Sequence, residues 1–230
     1  MKKLLIVVLG WLIVTTACKK NSDSAIPVTS SSFMFFNGVP DKAYDIWLDS
    51  AKVGSKVIFG QHTPYQSMRA QLYTIYMVDT SNPRDTIRVG QINLRNKRFF
   101  SAYLGYDSAN KVLAFRTLED DLNPPAAADS MKLRVISLNY AFRSNGQAVT
   151  MDLFSQNNKF FRGLGFMQFT QYITLFGDST YHFNFRPTDD TTAIPNKLDF
   201  PSQHGKVYTL ITIGNTLSSD KFKTFTITHN

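Results

Sequence analysis

The sequence predicts an all-β protein built as two tandem antiparallel β-sandwich domains. Three observations carry this expectation. Short β-prone runs recur about every ten residues between turn residues, their order repeats in the second half, and 3.6-residue periodicity is missing beyond the first twenty residues.

The N-terminus reads as an export signal. Lys2 and Lys3 precede an uncharged apolar run over residues 4–17. Fourteen helical residues span about 21 Å, short of the roughly 30 Å hydrocarbon core, so a secretory signal fits better than a membrane span. Val14-Thr15-Thr16-Ala17-Cys18 resembles a bacterial lipobox, with cleavage between Ala17 and Cys18 and acylation of the Cys18 thiol. Cys18 is the only cysteine, so it has no disulfide partner within the chain, and acylation would remove a reactive thiol. The expected organisation is a signal peptide over residues 1–17 and a tether over 18–31. A first sandwich over 32–120, a linker over 121–130 and a second sandwich over 131–230 complete it.

Composition narrows the partners. The formal charge of +8 includes Lys2 and Lys3, and the basic residues are scattered with no Lys/Arg run longer than two. No nucleic-acid footprint emerges from that pattern. The 19 Phe and 10 Tyr are a surplus that suits the pleated surfaces of strands.

Taken in order, residues 19–31 are rich in Ser, Thr, Asn and Lys and read as a linker. Residues 33–36 form an apolar run stopped by Asn37-Gly38-Val39-Pro40-Asp41. Further runs follow at 44–49, 57–59, 72–78, 86–94, 99–104 and 112–118. Residues 119–130 hold acids, the pair Pro124-Pro125 and small residues, which marks an inter-domain boundary. The pattern then restarts. Residues 133–138 end at Asn139 as 33–36 end at Asn37. Residues 149–154 answer 44–49, 180–186 answer 72–78, 207–214 answer 99–105 and 221–228 answer 111–118. Such a register implies a duplicated domain with two independent cores.

Phe36-Asn37-Gly38-Val39-Pro40-Asp41, then Tyr44-Asp45-Ile46-Trp47-Leu48-Asp49, and the later Tyr103-Leu104-Gly105, resemble the domain-of-unknown-function family numbered 4397, found in envelope lipoproteins of the Bacteroidota type. The resemblance covers the mature chain, most clearly residues 31–120. It implies paired immunoglobulin-like sandwiches on a lipid anchor, and it supplies no reaction, ligand or site residue.

Candidate chemistry is sparse. His62, His182, His204 and His229 are dispersed and unaccompanied by a usable cysteine, whereas zinc sites cluster their ligands. Asp120-Asp121 and Asp189-Asp190 lack the register of a calcium loop and read as solvated turn residues. Gly163-Leu164-Gly165-Phe166 has no following Gly-Lys-Ser/Thr and reads as a bend between strands. No nucleophile elbow is present. The aromatic residues around 160–172, with Tyr65, Tyr103 and Tyr106, read as sandwich core or as a stacking platform for sugar rings. The expectation is therefore a non-enzymatic envelope lipoprotein without a cofactor or metal, lipid-anchored in the outer membrane on a face the sequence leaves open. Its sandwich modules would serve binding or structural contact with an envelope protein. The alternative is an accessory polysaccharide-binding lipoprotein with a glycan partner.

Overall fold

A computed structural model describes residues 29–107, 109–156, 158–188, 190, 196–218 and 221–229. Ala17, Cys18 and Asp189 lie outside the described residues. Every regular element among the described residues is a strand.

The first half contains β1 (Ser30–Asn37), β2 (Ala43–Leu48), β3 (Ala51–Ile58), β4 (Gln66–Arg69), β5 (Leu72–Asp79), β6 (Thr86–Asn93), β7 (Phe99–Asp107) and β8 (Val112–Asp120). These make two four-stranded sheets, in the orders β4-β1-β7-β8 and β3-β2-β5-β6. The second half contains β9 (Ser130–Asn139), β10 (Met151–Ser155), β11 (Asn158–Leu164), β12 (Gln168–Phe169), β13 (Ile173–Phe176), β14 (Thr180–Pro187), β15 (Asn196–Pro201), β16 (Val207–Gly214) and β17 (Phe222–Thr228). Its sheets run β12-β9-β16-β17, with β13 also on β9, and β11-β10-β14-β15. The two orders match strand for strand, with the broken pair β12 and β13 standing where β4 stands.

The duplication extends to side chains. Asp45 accepts hydrogen bonds from Lys52 Nζ at 2.6 Å and the Lys56 amide at 2.7 Å. In the second half, 107 residues on, Asp152 accepts from Lys159 Nζ at 2.6 Å and the Gly163 amide at 2.8 Å. The same two lysines lie over Trp47 and Phe154, 5.0 and 5.1 Å from the ring centroids. Each carboxylate sits where the hairpin register shifts, so it ties down amides the bulge takes out of the ladder. The glycine pair at 163 and 165 is thus part of this bulge and its exit, as the bend reading expected.

Two features depart from the sequence expectations. The sheets are mixed: β1 runs parallel to β7 and β9 parallel to β16, where antiparallel pairing throughout was expected. Local runs and turns report hairpins, but carry no marker for pairing between strands separated by more than sixty residues. The second departure is the number of cores. Phe33 and Phe35 face Ile46, Ile75 and Met77 inside the first sandwich, and Leu133 and Val135 face Leu153, Phe183 and Phe185 inside the second. A third cluster joins Met34, Phe36 and Tyr103 to Ile136, Leu138, Ile211 and Ile213. The four sheets therefore stack as four layers, each half keeps a core of its own, and a third core joins the halves.

A polar cluster lies within the middle layer. Arg134 of β9 donates through Nη2 to Asp120 Oδ1 at the end of β8, and both side chains are almost wholly buried. Asp120 also accepts from Ser101 Oγ at 2.9 Å and Tyr65 OH at 2.7 Å. Arg134 reaches Tyr103 OH at 3.3 Å and stacks 4.7 Å from the Tyr172 ring centroid. Asp120 is thus a buried partner rather than the solvated turn residue expected. Only its neighbour Asp121 is exposed, paired with Lys132 at 2.6 Å. Burial of two charges is costly unless they meet each other, and a charge on each half makes their meeting a condition of docking.

Candidate functional site

A cleft of about 770 Å³ lies where the two halves meet. Turns after β1 (residues 38–42) and β5 (residues 79–85) supply one wall, Tyr106 and Leu113 the floor, and Tyr140, Gly214 and Lys221 the other wall. All these positions lie at the C-terminal ends of β1, β5, β7, β9 and β16 or the starts of the strands they lead into.

Local sequence explains the wall. Asn37 is fully buried and donates through Nδ2 to the carbonyls of Lys42 and Val57, each at 2.9 Å, while its Oδ1 accepts from the Val39 amide at 2.9 Å. One side chain therefore closes the turn and ties it to β3. Gly38 follows because a Cβ there would stand 2.6 Å from the Leu104 carbonyl oxygen and 2.6 Å from Leu138 across the interface. Its amide donates to Leu104 O at 2.8 Å. Gly214, at φ 98°, is confined on the facing wall by the Lys221 carbonyl, 1.8 Å from where a Cβ would be.

Electrostatics are mixed. Lys42 Nζ meets Asp79 Oδ2 at 2.6 Å, and Ser81 donates to Asp79 Oδ1 from both its hydroxyl and its amide. Those bonds, led by Lys42, hold the Asp79 carboxyl down at about 2. Burial, with Asp79 and Tyr106 nearby, pushes the Tyr44 phenol up to about 12, so it stays protonated. The side chains of Asp41, Asp85 and Lys221 line the cleft without a partner among the described residues. The half-buried Tyr106 and Tyr140, the Asp41 and Asp85 carboxylates and the Lys221 ammonium make a site that can stack on a flat face and hydrogen-bond a polar rim, while Tyr44 packs in the first core. No imidazole lines it.

The other residues singled out in the sequence are not gathered here. His182 pairs with Asp199 at 2.7 Å and His204 with Asp178 at 2.6 Å, both on the surface. His62 Nδ1 lies 2.9 Å from the Thr63 carbonyl. His229 Nε2 contacts Thr209 Oγ1 at 2.8 Å, and burial first, then Arg134 and His62, lower its imidazole to about 3. Among the described residues no three His, Cys, Asp or Glu side chains are grouped to hold a metal. Phe160 and Phe161 pack on the second core, Phe166, Phe169 and Tyr65 on the middle one, and Tyr103 is fully buried. These rings therefore pack on or within the cores, Phe176 is exposed on the surface, and of the aromatics singled out in the sequence only Tyr106 reaches the cleft. Sequence reasoning missed Tyr44 and Tyr140 as cleft residues. The signal available was Tyr140 directly after the Asn139 strand end, and Tyr44 at the head of the run that follows the Asn37–Asp41 turn.

Residues 31–144 match the family described as Domain of unknown function (DUF4397). The match spans the first half and reaches through β9 into the second, and so includes the Asn37–Asp41 turn of the cleft. No curated protein matches the chain. Among solved structures, a protein described as a candidate cell adhesion protein from Bacteroides eggerthii aligns at 10% identity over 89% of this chain and 97% of that chain. Its TM-score is 0.27, too low to equate the two folds.

Proposed function

We propose that this chain is a non-enzymatic cell-envelope lipoprotein, cleaved after Ala17 and acylated on Cys18, whose paired sandwiches present the shared cleft as a binding site. The proposal places the anchor in the outer membrane, with residues 18–31 as tether, 32–120 and 131–230 as the modules and 121–130 as their connection. The lipobox supports the anchor, and the composite cleft carries the binding role: both halves must dock for it to exist, which gives the duplication a purpose. The chain enters β1 at Ser30, at the opposite end of that strand from Asn37. Eight residues at about 3.3 Å each then put the cleft roughly 25 Å beyond the point of entry. A partner would be met on the side facing away from the tether.

A second reading, in which the ligand is a saccharide, is favoured by Tyr106 and Tyr140 standing beside the free Asp41 and Asp85 carboxylates. Such pairing of aromatic faces with acceptors suits sugar rings and their hydroxyls.

Both readings are tested with wild type and a Tyr106→Ala/Tyr140→Ala variant that melts normally. Capture of one envelope protein by wild type alone supports the first reading. Glycan-array signal lost in the variant supports the second. Equal binding by both proteins removes the cleft from either. For the anchor, palmitate label should enter wild type and not Cys18→Ser; equal incorporation removes the acylation.

A further inference from the structure

We infer that the end of the first sandwich where the chain enters is a membrane-apposed face that holds anionic lipid headgroups. This rests on the lipoprotein reading for its tether, and on separate observations for its chemistry. The Lys97 amide donates to Ser30 O at 2.7 Å, the Ser30 amide to Asn96 Oδ1 at 3.1 Å, and the Ala70 amide to Thr29 O at 3.2 Å. The entering strand is thereby clamped between the end of β4 and the β6–β7 turn, with Arg69 directly opposite Ser30.

That clamp is ringed by cations. Arg95, Lys97 and Arg98 line a depression of about 480 Å³ together with Glu119, Asp120 and Asp121, of which Asp120 and Asp121 are already paired with Arg134 and Lys132. The Arg95 and Arg98 side chains are 63% and 60% exposed. Glu119 pairs with both, at 3.6 Å for Arg98 Nε. Glu119 thus serves two of the four cations, and Arg69 and Lys97 have no ion-pair partner among the described residues. Leu72, at the start of β5 on the same end, is 56% exposed. A basic ring with an apolar tip suits the boundary between headgroups and acyl chains.

Reach is satisfied. Eleven residues separate Cys18 from Ser30, so even fully extended they keep this end within about 40 Å of the bilayer. Tethering at that distance makes the local lipid concentration high, and weak headgroup contacts suffice to orient the body. The cleft would then point away from the membrane rather than lie against it.

The test uses the acylated full chain in vesicles of phosphatidylcholine alone or mixed equally with phosphatidylglycerol, read by amide hydrogen exchange. Amides 95–99 should slow at least ~3-fold on the anionic vesicles only, and recover at high salt because the contact is electrostatic. An Arg95→Gln/Lys97→Gln/Arg98→Gln variant with unchanged melting should lose the slowing, and amides 40–44 should not respond. Equal exchange on both vesicles, or slowing kept in the variant, overturns the proposal. A mass showing no acyl group on Cys18 refutes the anchor and leaves the surface to be judged by cosedimentation with the same vesicles. Salt-sensitive pelleting with the anionic vesicles, lost in the variant, supports the surface, and no pelleting overturns it.

Discussion

β1 and β2 are successive in the chain and differ in how many faces they hide. Residues 33–37 of β1 are all buried, whereas β2 alternates buried and half-buried positions throughout its length. The contrast recurs between β16, buried from Val207 to Ile213, and β14, which alternates from Tyr181 onward. Inner sheets have a core on each side; outer sheets have one. A continuous apolar run in a strand is the mark of two-sided burial, and here the second side belongs to the other half of the molecule. The lesson is that the inner strands do two jobs, closing a sandwich and joining it to its copy.

The comparison can be broken first at the buried charges. Asp120→Ala leaves Arg134 buried without its counter-charge and should cost about 3–5 kcal/mol in chemical denaturation. Asp120→Leu/Arg134→Met should cost clearly less than the single change. If the double variant is the weaker of the two, the pair contributes net stability and is more than a docking requirement.

Phe36→Ala comes next. Its ring lies 6.1 Å from Tyr103 and 5.9 Å from Phe225 of the other half, so its loss should cost about 3–5 kcal/mol. Trp47→Ala, on the outer face of β2, should cost about 1 kcal/mol, chiefly the contact with Lys52. Similar losses at both sites would erase the distinction between inner and outer sheets. The same middle core predicts one cooperative melt for the whole chain.

Acid should act on the middle layer too. The folded imidazole of His229 is held near 3, below its ordinary value of 6.5. The unfolded chain therefore binds the proton first, and stability falls as pH drops from about 6.5 toward 3, by on the order of a few kcal/mol. His229→Gln should flatten that stretch of the pH–stability curve. An unchanged slope would locate the acid sensitivity elsewhere.

The smallest effect sharpens the comparison between the halves themselves. Lys56 at φ 47° and Gly163 at φ 68° occupy the same bulge. Gly163→Ala should cost about 1 kcal/mol, while Lys56→Gly should relieve strain and be close to neutral. A large loss for Lys56→Gly would mean its side chain contributes more than its backbone position.

Much of the fold was legible because strands and turns are local. Asn37 and Asn139 both end a central strand, and the runs around 72–78 and 180–186 both became strands beside the second strand of their half. The site was less legible. Asp120 sits in an acidic, proline-rich stretch and looks solvated, yet its partner Arg134 lies inside an apolar run fourteen residues later. That lone cation in a buried strand was the available sign that the run met another polar group. The cleft was hidden for a different reason, since its walls come from turns a hundred or more residues apart.

By itself the sequence determined the strand-by-strand composition and the duplication, because strands and turns are written in residues close together in the chain. Tertiary structure alone decided the parallel pairings, the third core and the cleft. Those depend on which surface of one half meets the other, and the free energy of that meeting is set by shape and charge across distant segments.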